Sequence, residues 1–444
     1  MATRDSHDYK KSRLPLWNNP PPSPPPSNAS SHARSAPLSP LLTTPRFTFA
    51  RRRSILPFCK YFLPLLLLCL ASPLLFWEPH IETSFYSRHW VKEEIQEIQP
   101  LAGCFDPHRI SPAYNLTHSL HSTKQQVHAG LPLRMGMDCY NFAGTVKPVY
   151  DYPASRVPPD QRTQYHTYWR NDLAGFEERQ EWLLKSFFAT QNVHTSRLIL
   201  WSNGDLSEVE IIGKWLRRYP DAFTTKTVDF EVLAKGTSLS GSDLLHIKDK
   251  KAWVDGDLLR LLVLWAYGGV WVDMDSLFTR DLAPLLDQEF VTQWDCYDKL
   301  YVPFNGALMH FYRHSPYLCE AFHIMTTSPP PRPGTTDWGA TLYLKLWRRL
   351  VSSSITPFSI LPWCFTDGRS CRLDNRLPDP FATDPQNGQW TLGWGREEGG
   401  GLDRALGRVF SVHLHNQWHK PYPKGGWVER LLLKRYDERL KRRT

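Results

Sequence analysis

Residues 255–282 read Asp255-Gly-Asp257-Leu-Leu-Arg260-Leu-Leu-Val-Leu-Trp-Ala-Tyr-Gly268-Gly269-Val-Trp-Val-Asp273-Met-Asp275-Ser-Leu-Phe-Thr-Arg-Asp-Leu282, and the fold follows from them. Asp257, Arg260, Leu261, Leu264 and Gly268 keep the three-to-four spacing of one helix face, and a Gly-Gly pair supplies the left-handed backbone that ends a helix. Val270-Trp-Val272 then reads as a short buried strand. Side chains alternate along a strand, so Asp273 and Asp275 share one side while Met274 points away.

In an open α/β sheet, ligands bind beyond the carboxyl ends of the strands, which is where this pair falls. Two hard oxygen ligands there suit Mn²⁺ or Mg²⁺, ions that bridge the oxygens of a diphosphate. Asp-x-Asp by itself is weak evidence, because a solvated strand end gives the same pattern and Asp255-Gly-Asp257 repeats it nearby. The longer arrangement is more specific. Asp-x-x-Arg, seven residues, Gly-Gly, an aromatic-containing apolar run and Asp-x-Asp resembles the sugar-binding region of the DXD-type glycosyltransferases. That family includes the outer-chain α-1,6-mannosyltransferase of yeast and the animal α-1,4-galactosyl- and α-1,4-N-acetylglucosaminyltransferases.

The resemblance implies a GT-A-like α/β fold: a Rossmann-type, mixed but mostly parallel sheet flanked by helices. It implies transfer of a hexosyl group (mannosyl, galactosyl or N-acetylglucosaminyl) from a UDP- or GDP-sugar to a glycan or glycolipid hydroxyl, with retention of configuration. Asp257, Arg260, Asp273 and Asp275 are the implied catalytic set, with Asp275 holding the ion and Asp273 supporting ribose or sugar hydroxyls. Trp201, Ser202 and Asn203, at the end of the apolar strand Arg197-Leu-Ile-Leu-Trp-Ser-Asn203, are expected at the nucleotide. Asp257, Arg260, Gly268, Gly269 and Asn305 complete the donor-binding set. An ordinary Asn-Gly turn accounts for residues 203–204 equally well, and an i,i+3 helix salt bridge accounts for Asp257 with Arg260. Thr336-Asp-Trp-Gly339-Ala340 stands where the family shows Gly-Pro, a departure that touches the acceptor side.

Arg408-Val-Phe-Ser-Val-His413-Leu-His415-Asn-Gln-Trp418-His419 reads as the last strand, with His413 and His415 on one face. Neutral imidazole is a common ligand to divalent ions, and His413 aligns best with the family's returning metal ligand. Residues 364–404 are rich in Gly and Pro and read as a loop, a lid or acceptor loop.

The 444 residues, 41% hydrophobic, suffice for one large core with appendages. Of the net charge of +9, residues 1–53 carry +7 and residues 428–444 carry +4, which leaves −2 for the body between them. A slightly acidic body without an aromatic-laced basic face excludes nucleic acid as the partner. Residues 1–53 form a Pro/Ser-rich disordered tail, and 54–77 a Leu-rich signal-anchor spanning the membrane as a single helix. Residues 78–160 are a stem and amino-terminal extension, 161–427 the catalytic domain and 428–444 a basic amphipathic helix on the solvent or membrane surface.

Arg46, Arg51, Arg52, Arg53 and Lys60 precede the anchor while Glu78 and Glu82 follow it, so the tail is expected to be cytoplasmic and the body lumenal. That is the layout of a Golgi type II enzyme. The sequon at Asn115 lies on the lumenal side and that at Asn28 on the cytoplasmic side. Six lumenal cysteines (Cys104, Cys139, Cys296, Cys319, Cys364, Cys371) allow 15 pairings, with Cys364 and Cys371 nearest in sequence. Two other classes fit parts of the pattern: an aspartate-nucleophile phosphatase opening on Asp273-x-Asp275, and an inactive anchored glycan-binding scaffold.

Overall fold

A computed structural model describes residues 56–72, 88, 91, 97–121, 137–149, 157–294, 303–369, 376–385, 394–395 and 398–443. Cys296, Cys371 and Asn28 lie outside the described residues, as do residues 1–53. Two compact units, 1–97 and 98–444, divide the chain.

In the first unit the Leu-rich run forms α1 (Leu56–Ala71), with Pro64 inside it and Phe62, Leu63 and Leu65 exposed. Its 16 residues extend for about 24 Å at 1.5 Å per residue, short of the ~30 Å hydrocarbon core of a bilayer. No helix among the described residues is long and apolar enough to cross a membrane. The expected span to Trp77 therefore exceeds the described helix, and residues 73–77 lie outside the description.

The second unit is built on a seven-stranded sheet in the order β3-β2-β1-β4-β7-β6-β8. Its strands are β1 (Thr163–Trp169), β2 (Ser196–Ser202), β3 (Phe223–Thr227), β4 (Gly269–Val272), β6 (Phe290–Gln293), β7 (Phe304–Phe311) and β8 (Ser359–Leu361). The β1–β2, β2–β3, β1–β4 and β6–β8 pairs are parallel, whereas β7 runs antiparallel to both β4 and β6. The sheet is thus mixed and mostly parallel. Alternate residues of β2 enter opposite cores: Leu198 and Leu200 face α2 (Glu178–Thr190) and α3 (Glu210–Arg218), while Ile199 and Trp201 face α4 (Val254–Tyr267), α5 (Pro316–Thr327) and α6 (Ala340–Ser352). Helices cover both faces.

The organising stretch folds as its spacing predicts, into α4 and then β4. Every residue from Val254 to Leu264 is buried, so α4 is a central helix and not a surface one. Gly268 (φ 69°) ends it and Gly269 (φ 97°) opens β4. A Cβ on Gly269 would lie 2.1 Å from the Gln164 carbonyl oxygen of β1, so only glycine lets the two strands close.

Several sequence expectations change. β1, unrecognised because its Thr-Gln-Tyr-His-Thr-Tyr-Trp sequence is polar, is a central strand between β2 and β4. The β-branched stretch Thr227–Val232, which reads as a strand in the sequence, is not one: β3 ends at Thr227, and Phe230–Leu233 is a helical turn capped by the Asp229 side chain. The carboxyl-terminal helix α7 (Lys434–Arg442) belongs to the core. Tyr436 and Leu440 are buried, and the Tyr436 hydroxyl donates to the Phe278 carbonyl at 2.6 Å.

The amino-terminal extension is likewise part of the body. Cys104 pairs with Cys319, and Cys139 pairs with Cys364 in place of its nearer neighbour in sequence, Cys371. The backbone N–H groups of Ala102 and Cys104 both donate to the Glu320 carboxylate at 2.7 Å.

Candidate active site

β5 (Ser276–Phe278) follows Asp275 directly and pairs antiparallel with β9 (Ser411–His413), Ser276 opposite His413. This two-stranded ladder, together with the Leu414 N–H bonded to the Asp275 carbonyl at 2.9 Å, carries His413 from 138 residues away to the Asp-x-Asp pair. The sequence places both ends of this contact and says nothing of their pairing.

Each carboxylate has one oxygen pinned and one presented. Asp273 Oδ1 accepts from Arg260 Nη2 at 2.8 Å and from Trp271 Nε1 at 2.7 Å, and its Oδ2 lies 4.0 Å from His413 Nε2. Asp275 Oδ2 accepts the Asn416 N–H, and its Oδ1 lies 3.3 Å from the same imidazole nitrogen. His413 Nε2 is buried and makes no well-aligned hydrogen bond. Its other nitrogen, Nδ1, faces Asp367 Oδ2 at 3.4 Å.

Two carboxylate oxygens and one imidazole nitrogen thus converge within 4.8 Å of one another. Neighbouring ligands of an ion bound at about 2.1 Å sit about 3 Å apart, so a small contraction would close the set on a divalent ion. An imidazole whose far nitrogen is held by a carboxylate is the usual arrangement of a metal-binding histidine. The residues present fit the group.

Asp367 was hidden in the stretch read as a loop. Residues 363–369 are buried: Cys364 is tied to Cys139, and β9 hydrogen-bonds alongside through His413 N–H to the Thr366 carbonyl at 3.1 Å. Asp367 accepts from Asn305 Nδ2 at 2.9 Å and contacts His415 Nε2 at 2.6 Å. Burial works against its charge, yet His415 and His413 hold it well below the usual carboxylate range. The only signal in the sequence was an Asp closing the apolar run Trp363-Cys-Phe-Thr-Asp367, which loops also show.

Asp257 and Arg260 lie behind Asp273. Arg260 Nη1 donates to Asp257 Oδ1 at 2.8 Å and to the Tyr343 hydroxyl at 3.2 Å, so Arg260 bridges both carboxylates. Burial pushes the Asp257 carboxyl up to about 7 against the pull of Arg260, with Asp273, Asp249 and Asp255 adding to the rise. Gly306 on β7 makes room for this cluster: a Cβ there would lie 2.1 Å from Arg260 Nη1 and 2.8 Å from the Tyr343 hydroxyl.

Other expected donor contacts fall elsewhere. Gly268 and Gly269 are at the amino end of β4, about 13 Å along the strand from Asp273; they close a backbone crossing and do not reach the site. Trp201 is in the core, its Nε1 bonded to His166 Nδ1 at 3.1 Å, and Ser202 is buried. Of that trio only Asn203 is partly exposed, beyond the strand end, where its Oδ1 accepts the Asn171 N–H at 3.0 Å. Asn305 reaches the site through Asp367.

Residues 178–292 match the family model described as a glycosyltransferase sugar-binding region containing a DXD motif. The match runs from the start of α2 into β6 and includes Asp257, Arg260, Asp273 and Asp275. The chain is a glycosyltransferase. No curated protein sequence matches it. Among solved structures, the PaToxG glycosyltransferase is similar at 15% identity over 48% of this chain and 74% of its own, with a TM-score of 0.32. The WbbM bifunctional glycosyltransferase is similar at 11% identity over 66% of this chain and 50% of its own, with a TM-score of 0.35. An active-site mutant of LgtC is similar at 12% identity over 63% of this chain and 95% of its own, with a TM-score of 0.32.

Proposed function

We propose that this chain is a metal-dependent hexosyltransferase that moves a mannosyl, galactosyl or N-acetylglucosaminyl group from a UDP- or GDP-sugar to a glycan or glycolipid hydroxyl. The carrying observation is the convergence of Asp273 Oδ2, Asp275 Oδ1 and His413 Nε2 beyond the carboxyl end of β4. An imidazole in an otherwise carboxylate set favours Mn²⁺ over Mg²⁺. When bound, the ion supplies Lewis-acid stabilisation of a diphosphate leaving group.

The chain's own groups orient and exclude. Arg260 and Trp271 fix Asp273, Asn416 fixes Asp275, and Asp367, which faces His413 Nδ1, would hold the proton on that nitrogen and leave Nε2 to the ion when one is bound. Asp257 and Arg260, beside Asp273, are assigned to the donor sugar hydroxyls. In the reaction the bond between the anomeric carbon and the diphosphate oxygen breaks, leaving its electron pair on that oxygen. The acceptor hydroxyl oxygen bonds to the anomeric carbon, and its proton passes to the departing diphosphate. The family resemblance assigns retention of configuration.

Thermal unfolding against a panel of UDP- and GDP-sugars with Mn²⁺ tests this reading, since a ligand that binds the folded state raises the midpoint by mass action. One nucleotide series should raise it by several degrees, with slow hydrolysis of the sugar. No shift and no hydrolysis with any member would overturn the proposal.

We also assign the catalytic body to the lumen of the Golgi, behind an anchor built on α1. The basic flank before α1 and the exposed Asn115 support this; the Asn115 side chain caps the turn Leu116–His121 through the His118 N–H at 2.9 Å. Protein made in eukaryotic cells should lose mass on glycosidase treatment, and Asn115→Gln should abolish that loss. An unglycosylated, protease-accessible body would reverse the orientation.

A further inference from the structure

Arg179 stands in the first turn of α2, at the carboxyl-end edge of the sheet, with no carboxylate partner among the described residues. Its guanidinium carbon lies 4.0 Å from the ring centre of Tyr422, 5.3 Å from Phe381 and 5.9 Å from Trp418. Nε and Nη2 are buried and make no hydrogen bond. A guanidinium carries five N–H donors and no acceptor, so leaving the donors on these two buried nitrogens unmet costs free energy that a ligand oxygen would recover. Aromatic faces stabilise the cation by cation–π attraction without satisfying the N–H groups at its edge.

Contacts lead from this cage to the candidate ion site. Trp418 meets Trp169, the last residue of β1, edge to face at 5.0 Å. Trp418 Nε1 also donates to Asn416 Oδ1 at 3.3 Å, and Asn416 is the residue whose N–H holds Asp275. Burial draws the Arg179 guanidinium down to about 10, while the Asp275 charge opposes that shift. It remains a cation at neutral pH.

The other buried arginines nearby are committed: Arg260 to Asp257 and Asp273, Arg170 to Asp172 and Asp255, and Arg369 to Asp379. A ligand bringing two phosphates to the carboxylate-rich face of Asp273, Asp275 and Asp367 needs positive charge beyond one divalent ion. Planar guanidinium edges match phosphate oxygens.

We propose that Arg179, caged by Tyr422, Phe381 and Trp418, binds the diphosphate of the donor and neutralises it as it leaves. The assignment deepens the nucleotide-sugar reading and rests on it. Within that reading Arg179 separates diphosphate from monophosphate recognition.

The test is calorimetric titration of the full chain, in Mn²⁺, with UDP, GDP, UMP and GMP. Arg179→Gln should weaken binding of whichever diphosphate the parent takes by about tenfold or more, the loss of a charged hydrogen bond, while the matching monophosphate changes less than about twofold. Arg179→Lys, which keeps the charge but not the fork, should lose part of the diphosphate affinity, and it decides the matter if the Gln variant fails to fold. Parent-like diphosphate binding by the folded variants overturns the inference. Equal loss for mono- and diphosphate also overturns it, because a structural role would act on both. A parent protein that binds none of the four nucleotides sinks the nucleotide-sugar reading itself, and this inference with it.

Discussion

Asp275→Asn should leave the protein folded and lower turnover by a factor on the order of 10² or more, the scale of losing a major electrostatic stabiliser at a developing negative charge. The side chain is only 2% exposed and has two separate tasks. Oδ2 takes the Asn416 N–H and so orders the loop that carries Trp418, while Oδ1 faces His413 Nε2 at 3.3 Å. An asparagine can keep the first contact through its own carbonyl oxygen. Its NH₂ group then faces the imidazole and the ion position, replacing a negative acceptor with a neutral donor. Shape is kept and charge is lost. Chelation with EDTA should reproduce the defect in the parent, and added Mn²⁺ should restore the parent only. Full activity in EDTA, or an Asn variant as active as the parent, would remove the metal from the mechanism.

Asp367→Asn is expected to raise the Mn²⁺ concentration for half-maximal activity by about 10- to 100-fold, with turnover recovered to within a few-fold at saturating metal. Asp367 touches no substrate in this account. Its carboxylate accepts from Asn305 at 2.9 Å, contacts His415 at 2.6 Å and faces His413 Nδ1 at 3.4 Å. An acceptor at Nδ1 keeps the proton there and the lone pair on Nε2, where the ion position is; an amide presents a donor in one of its two orientations and removes that bias. The split between metal dependence and saturated turnover separates this positioning role from a catalytic one. A variant with unchanged Mn²⁺ dependence would show that His413 needs no such partner, or is no ligand.

The sequence by itself determined the parts of the site that lie within one element or a few residues apart along the chain. Helical spacing put Asp257 and Arg260 together one turn apart, whereas Asp273 and Asp275 share a side through the turn that follows β4, and His413 meets His415, ring centres 4.6 Å apart, through the left-handed turn that follows β9, not through strand alternation. Periodicity is enough for the helical pair because 3.6 residues per turn is a property of the backbone alone; the two turn pairs are close because they are near in sequence. It misled where element length mattered: Gly268 and Gly269 adjoin the motif in sequence yet occupy the far end of β4.

Only the tertiary structure decided which distant segments meet. The β5–β9 ladder sets His413 beside Asp275, the Cys139–Cys364 disulfide accompanies the burial of the segment bearing Asp367, and the aromatic cage of Arg179 draws on residues about 200 or more positions away. Such contacts follow from strand order and from which apolar faces are buried together, and many pairings satisfy the same local pattern. Six cysteines with 15 possible pairings state the same problem in its smallest form. The polar strand β1 was missed for a related reason: His166 is fully buried at the centre of the sheet, and only contacts from distant segments, Trp201 Nε1 to its Nδ1 and its Nε2 to the Gly268 carbonyl, make that position tolerable.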